Sequence, residues 1–364
     1  MARFVDVFKK DCIFYVICFL CSLINIVTLM SMGFKENIKV LSYSQNLDLA
    51  LGTTILTYLI YKLVKMVLEL EPRPLKRIAL GFAKVWQNIH VFLNAFCLIT
   101  ATSMFLSTYS SVKALIPIVN EFKYDNSFYL IDKYLFMGHL PHDVIGSVID
   151  GPYFYSFINL LYNVWFLIVW GALIYFCLHN EHKVRMKYLI TCVLCWFFIG
   201  NIAATFFSSA GPVYIYLIDN SKTMYLPLIE KMIGYNDFLI EVDYPVKIWA
   251  LGTQDMLWDS YINNKHTLGS GISAMPSMHV SMSVLFALGA SQVSRLIGYI
   301  AWVYCFFIYI GSFMLGWHYA VDGLVSVPLT LILWKFASFL VDKSTKESVE
   351  SGEFSKGVQF ETVK

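Results

Sequence analysis

Charge is what this sequence has least of. Only 14% of its 364 residues are Asp, Glu, Lys or Arg, against roughly 25% in a soluble domain. A chain so poor in charge cannot cover a water-facing surface, so lipid is the expected solvent. The formal net charge of +2 is too small for a nucleic-acid partner. The long polar connections contain no cysteine. All eight (Cys12, Cys18, Cys21, Cys97, Cys177, Cys192, Cys195, Cys305) fall in apolar runs, which argues against a disulfide framework. The CxxC spacings at Cys18/Cys21 and Cys192/Cys195 are read as buried small hydrophobes. No HExxH and no cluster of acids appears in the loops, so neither a resident metal nor a cofactor is expected. There is no internal repeat. The apolar run after Lys9 and Lys10 lacks a small-x-small cleavage site, so it reads as a retained membrane helix.

What is abundant is apolar length. Hydrophobic residues make up 58% of the chain and aromatics 17%, many of the latter near the ends of apolar runs, where amphipathic rings favour the membrane interface. Runs of roughly 17–25 residues suit a membrane helix. They predict spans at 12–33, 46–68, 91–112, 154–178, 187–207, 277–293, 296–316 and 319–341. The expected fold is therefore all-α, a polytopic membrane bundle of about eight helices. Residues 1–112 read as N-terminal spans with a basic segment, 113–341 as the membrane domain that carries the chemistry, and 342–364 as a disordered tail. The stretch Glu71–His90, with Pro72 and Pro74 and basic residues among apolar ones, reads as a helix lying on the membrane surface.

Basic residues near span ends favour the cytoplasmic side. Eight spans put the N-terminus, the 69–90 segment, the 179–187 turn, Arg295 and the C-terminal tail on one face. All five arginines (Arg3, Arg73, Arg77, Arg185, Arg295) lie there. The connections 34–45, 113–153 and 208–276 share the other face, read as extracytoplasmic. The long 208–276 connection is expected to be ordered and functional.

Two short stretches place ionisable groups at helix ends, where a membrane makes them costly and usually functional. The first is Ala274-Met275-Pro276-Ser277-Met278-His279. Pro276 suits the opening of a helix, and free N–H groups there attract a phosphate. His279 is then well placed to exchange a proton beside a bound anion. The second is Gly316-Trp317-His318-Tyr319-Ala320-Val321-Asp322-Gly323. His318 and Asp322 are four apart and share a helix face, so the carboxylate is expected to fix the imidazole tautomer and free the other ring nitrogen for attack. One crossing out and one back brings both stretches to the same face. His139, His142 and His266 read as surface or loop histidines, and Gly211-Pro212, Gly269, Gly271 and Gly316 as tight backbone beside the site.

Pro276-Ser277-Met278-His279 resembles the Pro-Ser-Gly-His motif of the type-2 phosphatidic acid phosphatase superfamily, and His318-x3-Asp322 resembles the end of that family's following motif. Ser209-Ala210-Gly211-Pro212 resembles the inositol phosphorylceramide synthase-like branch, and the likeness extends over about residues 120–341. The resemblance implies a six-helix phosphatase-like core, with His318 as nucleophile, Asp322 as its support and His279 as the acid that protonates the leaving group. The departures are specific. Met278 replaces a glycine, and Gly311-Ser312 stands where the family has Ser-Arg, so the phosphate-binding arginine is missing. Lys65 and Arg73-Pro74 imitate a further family motif, but with seven intervening residues and on the opposite face of the membrane. Phosphate charge must therefore be met by other groups, with Ser277, Lys222, Lys247 and Lys265 as candidates.

The expected activity is hydrolysis of a lipid or polyprenyl phosphate through a phosphohistidine, without a metal. Transfer of a phospho-headgroup to a hydroxyl acceptor is the first alternative, and a lipid transporter without phosphoryl chemistry the second. Membrane lipids are the expected surroundings, and oligomeric state is left open.

Overall fold

The computed structural model describes residues 8–43, 47–263 and 271–350. Helices form at every segment where an apolar run predicts a span, and no strand occurs among the described residues. In chain order they are α1 (Cys12–Ser31), α2 (Leu47–Leu68), the short α3 (Pro74–Gln87) and α4 (Ile89–Lys113). After α5 (Asp125–Leu135) come α6 (Pro152–Leu178) and α7 (His182–Leu194), which continues helically to Phe206. Then follow α8 (Leu226–Glu241), α9 (Ala250–Ile262), α10 (Met278–Val293), α11 (Arg295–Met314) and α12 (Ala320–Glu350).

Among the described residues six helices are long and apolar enough to cross a membrane: α1, the run Ile89–Val119 containing α4, α6, α7 with its continuation, α11, and α12 as far as Thr345. The protein is a polytopic helical membrane protein. At 16 residues α10 is shorter but apolar. It would extend only about 24 Å at 1.5 Å per residue, less than the roughly 30 Å of a hydrocarbon core. Pro276 and Ser277 lie in the loop before it, and Met278 and His279 open the helix.

Local signals place the ends of these elements. Pro152 opens α6 after Gly151, whose φ of +119° is a conformation that suits glycine. Ser277 caps α10, its hydroxyl accepting the Val280 N–H at 3.4 Å. Pro74 opens α3, whose exposed Leu75, Leu80 and Trp86 fit the surface helix predicted there. Helix α12 continues through Glu350, past the expected span end at 341, and residues 351–364 of the expected tail lie outside the described residues.

Packing orders the bundle around α6, α7 and α10. Helices α10 and α11 form a tight hairpin, α12 lies on α7 and α10, α11 on α6, and α4 joins α1 to α6. Helices α1 and α4 are thus part of the same bundle. A buried polar knot ties them in at the arginine end: Asp11 accepts Asn94 Nδ2 at 2.7 Å and Arg185 Nη2 at 2.9 Å, with His182 Nε2 at 3.1 Å. Burial alone would raise the Asp11 carboxyl, but His182, Arg185 and Asn94 outweigh it and hold the group below the usual range. Such a buried charge is tolerable because it is fully partnered.

The long connections fold back as helices, which apolar-run counting does not find because these helices are not apolar throughout. Helix α8 packs on α6, and α5 on α12. His142, expected at the surface beside the exposed His139, is instead buried at 5% exposure with its ring 5.7 Å from that of Tyr225.

Candidate active site

The two motifs meet. His318 Nδ1 lies 2.6 Å from the Ala274 carbonyl and 3.3 Å from Asp322 Oδ2, and the Ser277 N–H points to the Asp322 carbonyl at 3.4 Å. The rings of His279 and His318 are 6.1 Å apart. Both acceptors near Nδ1 call for a proton on that nitrogen, which leaves the Nε2 lone pair free. The closer acceptor is the backbone carbonyl. The tautomer is therefore held chiefly by Ala274, with Asp322 supplying negative charge beside the ring. Asp322 has a second task that its position in the sequence explains: its Oδ2 accepts the Tyr319 N–H at 3.0 Å, closing the first turn of α12 as an acidic N3 residue does. His279 is seated by aromatics, stacked on Tyr162 at 4.3 Å and beside Trp165 at 4.2 Å, while Trp165 Nε1 donates to its carbonyl at 3.0 Å.

The loop after α7 holds the two motifs in register. The Ser209 carbonyl and hydroxyl accept the N–H groups of Ala274 and Met275 at 2.9 and 3.1 Å, and Val213 N donates to the Gly316 carbonyl at 3.1 Å. Between these tethers Gly211 has a φ of +101°, and a Cβ there would come within 2.7 Å of the Trp317 carbonyl. Only glycine fits that position.

Helix α5 braces the same loop and the start of α12 with two buried carboxylates. Asp125 accepts the N–H groups of Ala210 and Gly211 at 3.0 and 2.8 Å and the Tyr319 hydroxyl at 2.9 Å. Asp132 accepts the N–H groups of Ala320 and Val321 at 2.7 and 2.8 Å, capping α12 from a different helix. Seven residues apart, the two acids share one face of α5. Burial raises the Asp125 carboxyl above its usual range against the pull of those hydrogen bonds. Burial likewise pushes Asp132 up to about 7, the two backbone N–H bonds opposing the shift and the nearby Asp322 adding to it. The sequence analysis missed both acids, although their seven-residue spacing was a usable signal.

His279 and His318 open onto a cavity of about 780 Å³, within the range of small-molecule sites. It runs down one face of α6 through Asn159, Tyr162, Phe166, Trp170 and Ile174. Those 15 residue steps correspond to about 22 Å at 1.5 Å per residue. The candidate phosphate ligands fall elsewhere. Ser277 is fully buried as the α10 cap. Lys222 pairs with Asp219 at 3.6 Å, and Lys247 Nζ donates to the Leu239 carbonyl at 2.6 Å in the last turn of α8. None of these three lines the cavity. Lys265, like His266 and Gly269, lies outside the described residues. The lysine that does line the cavity is Lys113, at the end of α4. Among the described residues no three His, Cys, Asp or Glu side chains are grouped as a metal ion would require.

Residues 131–336, more than half of the chain, match the family model of the PAP2 superfamily. The chain belongs to the PAP2 superfamily. That superfamily, the type-2 phosphatidic acid phosphatases, supports phosphatase or phosphotransferase chemistry in general terms. The PAP2 match contains both motifs and Asp132, and it leaves out Asp125 and Lys113. No curated protein and no solved structure matches the chain.

Proposed function

We propose that this chain is a membrane phosphatase that cleaves the phosphate ester of a lipid or polyprenyl phosphate through a phosphohistidine on His318 Nε2. The observation that carries this reading is the pinned His318. Its Nδ1 is held by Ala274 and Asp322, while its Nε2 has no hydrogen-bond partner among the described residues and the ring lines the cavity beside His279. In the first step Nε2 attacks phosphorus in line and the P–O bond to the alcohol breaks. The departing oxygen takes a proton from His279. In the second, His279 removes a proton from water, which attacks phosphorus, and phosphate leaves with His318 restored. The carboxylate of Asp322 favours the cationic imidazole that phosphorylation creates.

An elongated, mostly apolar cavity descending beside the two histidines favours an amphiphile, its hydrocarbon in the cavity and its phosphate at His318. Helix direction supports an extracytoplasmic triad. Helices α4 and α6 each join the triad end to the opposite end, where Arg73, Arg77, Arg185 and Arg295 lie, and the positive-inside rule favours a cytoplasmic arginine end and an extracytoplasmic triad. A second reading, transfer to a hydroxyl acceptor, differs only in the resolving step. The 6% exposure of His318, which restricts water at the phosphohistidine, favours it.

The test is phosphate release from a panel of long-chain phosphomonoesters by the purified protein, with and without alcohol acceptors. His318→Ala is expected to abolish both release and acid-labile labelling of the protein by a radioactive phosphate ester. His279→Ala is expected to lower kcat by about 10²–10⁴-fold, the usual contribution of a positioned acid–base group. Full turnover by the His318 variant would rule the mechanism out.

A further inference from the structure

We propose that Lys113, contributed by α4 from outside the family-matched segment, is the cation that binds the substrate phosphate in place of the missing arginine. The proposal rests on the phosphoryl-transfer reading of the His318 site. The first observation is one of exclusion. The position where the motif would carry arginine is Ser312, which is fully buried, with its hydroxyl donating to the Tyr309 carbonyl at 2.7 Å and its carbonyl accepting the His318 N–H at 2.9 Å. A guanidinium has no place in that packing. The neighbouring Gly311 is equally closed, since a Cβ there would come within 3.0 Å of Ile158 and 3.1 Å of Tyr162.

The second observation is placement. A phosphate monoester carries close to two negative charges at neutral pH, and a mostly apolar cavity cannot hold them without a counter-charge. Lys113 is the sole lysine or arginine among the described residues that line the cavity. It lies within electrostatic reach of His279. No carboxylate among the described residues is paired with it, whereas Lys222, Lys231 and Lys183 are each paired with an aspartate. A lysine in the last turn of a helix is favoured by the helix dipole alone, but that preference does not account for a side chain facing the cavity.

The third observation is how the lysine is held. Gly271, in the segment leading to Pro276 and His279, lies directly against it: a Cβ on Gly271 would come within 2.7 Å of the Lys113 carbonyl and 2.9 Å of its Cγ. The end of α4 is thereby fixed to the segment that positions His279. Tyr162 Oη, Ser273 Oγ and Trp317 Nε1 belong to residues lining the same cavity, and all three are buried without a hydrogen-bond partner among the described residues. Tyr162 is itself only 4% exposed. Three unsatisfied donors and one ammonium on residues lining the cavity of the two histidines are groups that a tetrahedral oxyanion could satisfy.

Orthovanadate, which mimics the transferring phosphoryl group without requiring the right lipid, is the probe. Its binding to the full chain in detergent is read by the change in tryptophan fluorescence, since Trp165, Trp170, Trp196 and Trp317 line the cavity. Lys113→Met is expected to weaken binding about tenfold or more, the scale of a lost charge-assisted hydrogen bond. Lys113→Arg is expected to stay within about threefold of the unmodified protein. In turnover assays the loss in Lys113→Met should appear mainly in KM. Thermal melting and gel filtration check folding, and Lys113→Gln serves if the Met variant does not fold. Unchanged vanadate affinity in folded Lys113→Met or Lys113→Gln, with affinity lost in His318→Ala, overturns the assignment of Lys113 alone. Absence of vanadate binding by the unmodified protein overturns the phosphoryl site and Lys113 with it.

Discussion

His318 is oriented by two acceptors of different kinds, and the difference is testable. A backbone carbonyl at 2.6 Å fixes the tautomer whatever residue occupies position 322, so Asp322 contributes its charge and its closure of the α12 turn. Asp322→Asn keeps an oxygen for the Tyr319 N–H and removes only the charge. Its kcat is expected to fall about ten- to hundredfold, corresponding to about 1.5–3 kcal/mol for a hydrogen bond involving a charged group. A loss as deep as that of His318→Ala in the same assay would mean that Ala274 does not hold the ring. The residue types at 279, 318 and 322 were legible in the sequence because they fall in two short motifs and the proposed chemistry calls for those residue types. Ala274 was not, since any residue supplies a carbonyl.

At the scale of elements, α5 braces the candidate site without lining its cavity. The two carboxylates on one of its faces hold the 210–211 loop and the first turn of α12, so a change in α5 should move His318 and Asp322 without altering either. Asp132 is the informative one, its carboxyl raised from 3.8 to about 7 by burial. A raised folded value means that the protonated acid favours the fold. That contribution is fully present below about pH 4 and is lost as pH rises through about 7. The ionised form, which accepts both N–H groups, is thus retained at some cost in stability. As pH falls through 7 the carboxyl takes up a proton and gives up acceptor capacity at the start of α12. Phosphate release is therefore expected to decline on that limb. Asp132→Asn should flatten it and lower kcat about tenfold or more. A pH profile of the variant that superimposes on that of the unmodified protein, in shape and height, would refute the positioning role. The seven-residue spacing of the acids was visible in the sequence, but nothing local said that their partners lay 85 to 194 positions away.

For the whole molecule, the consequence of the packing is the cavity between α4, α6 and α7. Ile99 on α4 lines it, about 21 Å along that helix from Lys113 at 1.5 Å per residue. Ile99→Trp is expected to fill this end and to lower kcat/KM for long-chain phosphate esters by about tenfold or more, while short-chain esters are turned over as before. Overpacking costs roughly 1–3 kcal/mol, so a melting curve should accompany the kinetics. Equal losses for short and long chains would show that the hydrocarbon does not reach this depth.

The sequence by itself determined the solvent, the helical fold, the two motifs and the family, because apolar length and fixed residue spacing are local properties of a chain. It also determined that an arginine was missing. Only the tertiary structure decided what surrounds the triad. Lys222 and Lys247, which the long 208–276 connection offered as phosphate ligands, are engaged with Asp219 and the end of α8, while Lys113 lines the cavity. Which lysine faces a site depends on how helices far apart in sequence pack against one another, and hydropathy carries no record of that.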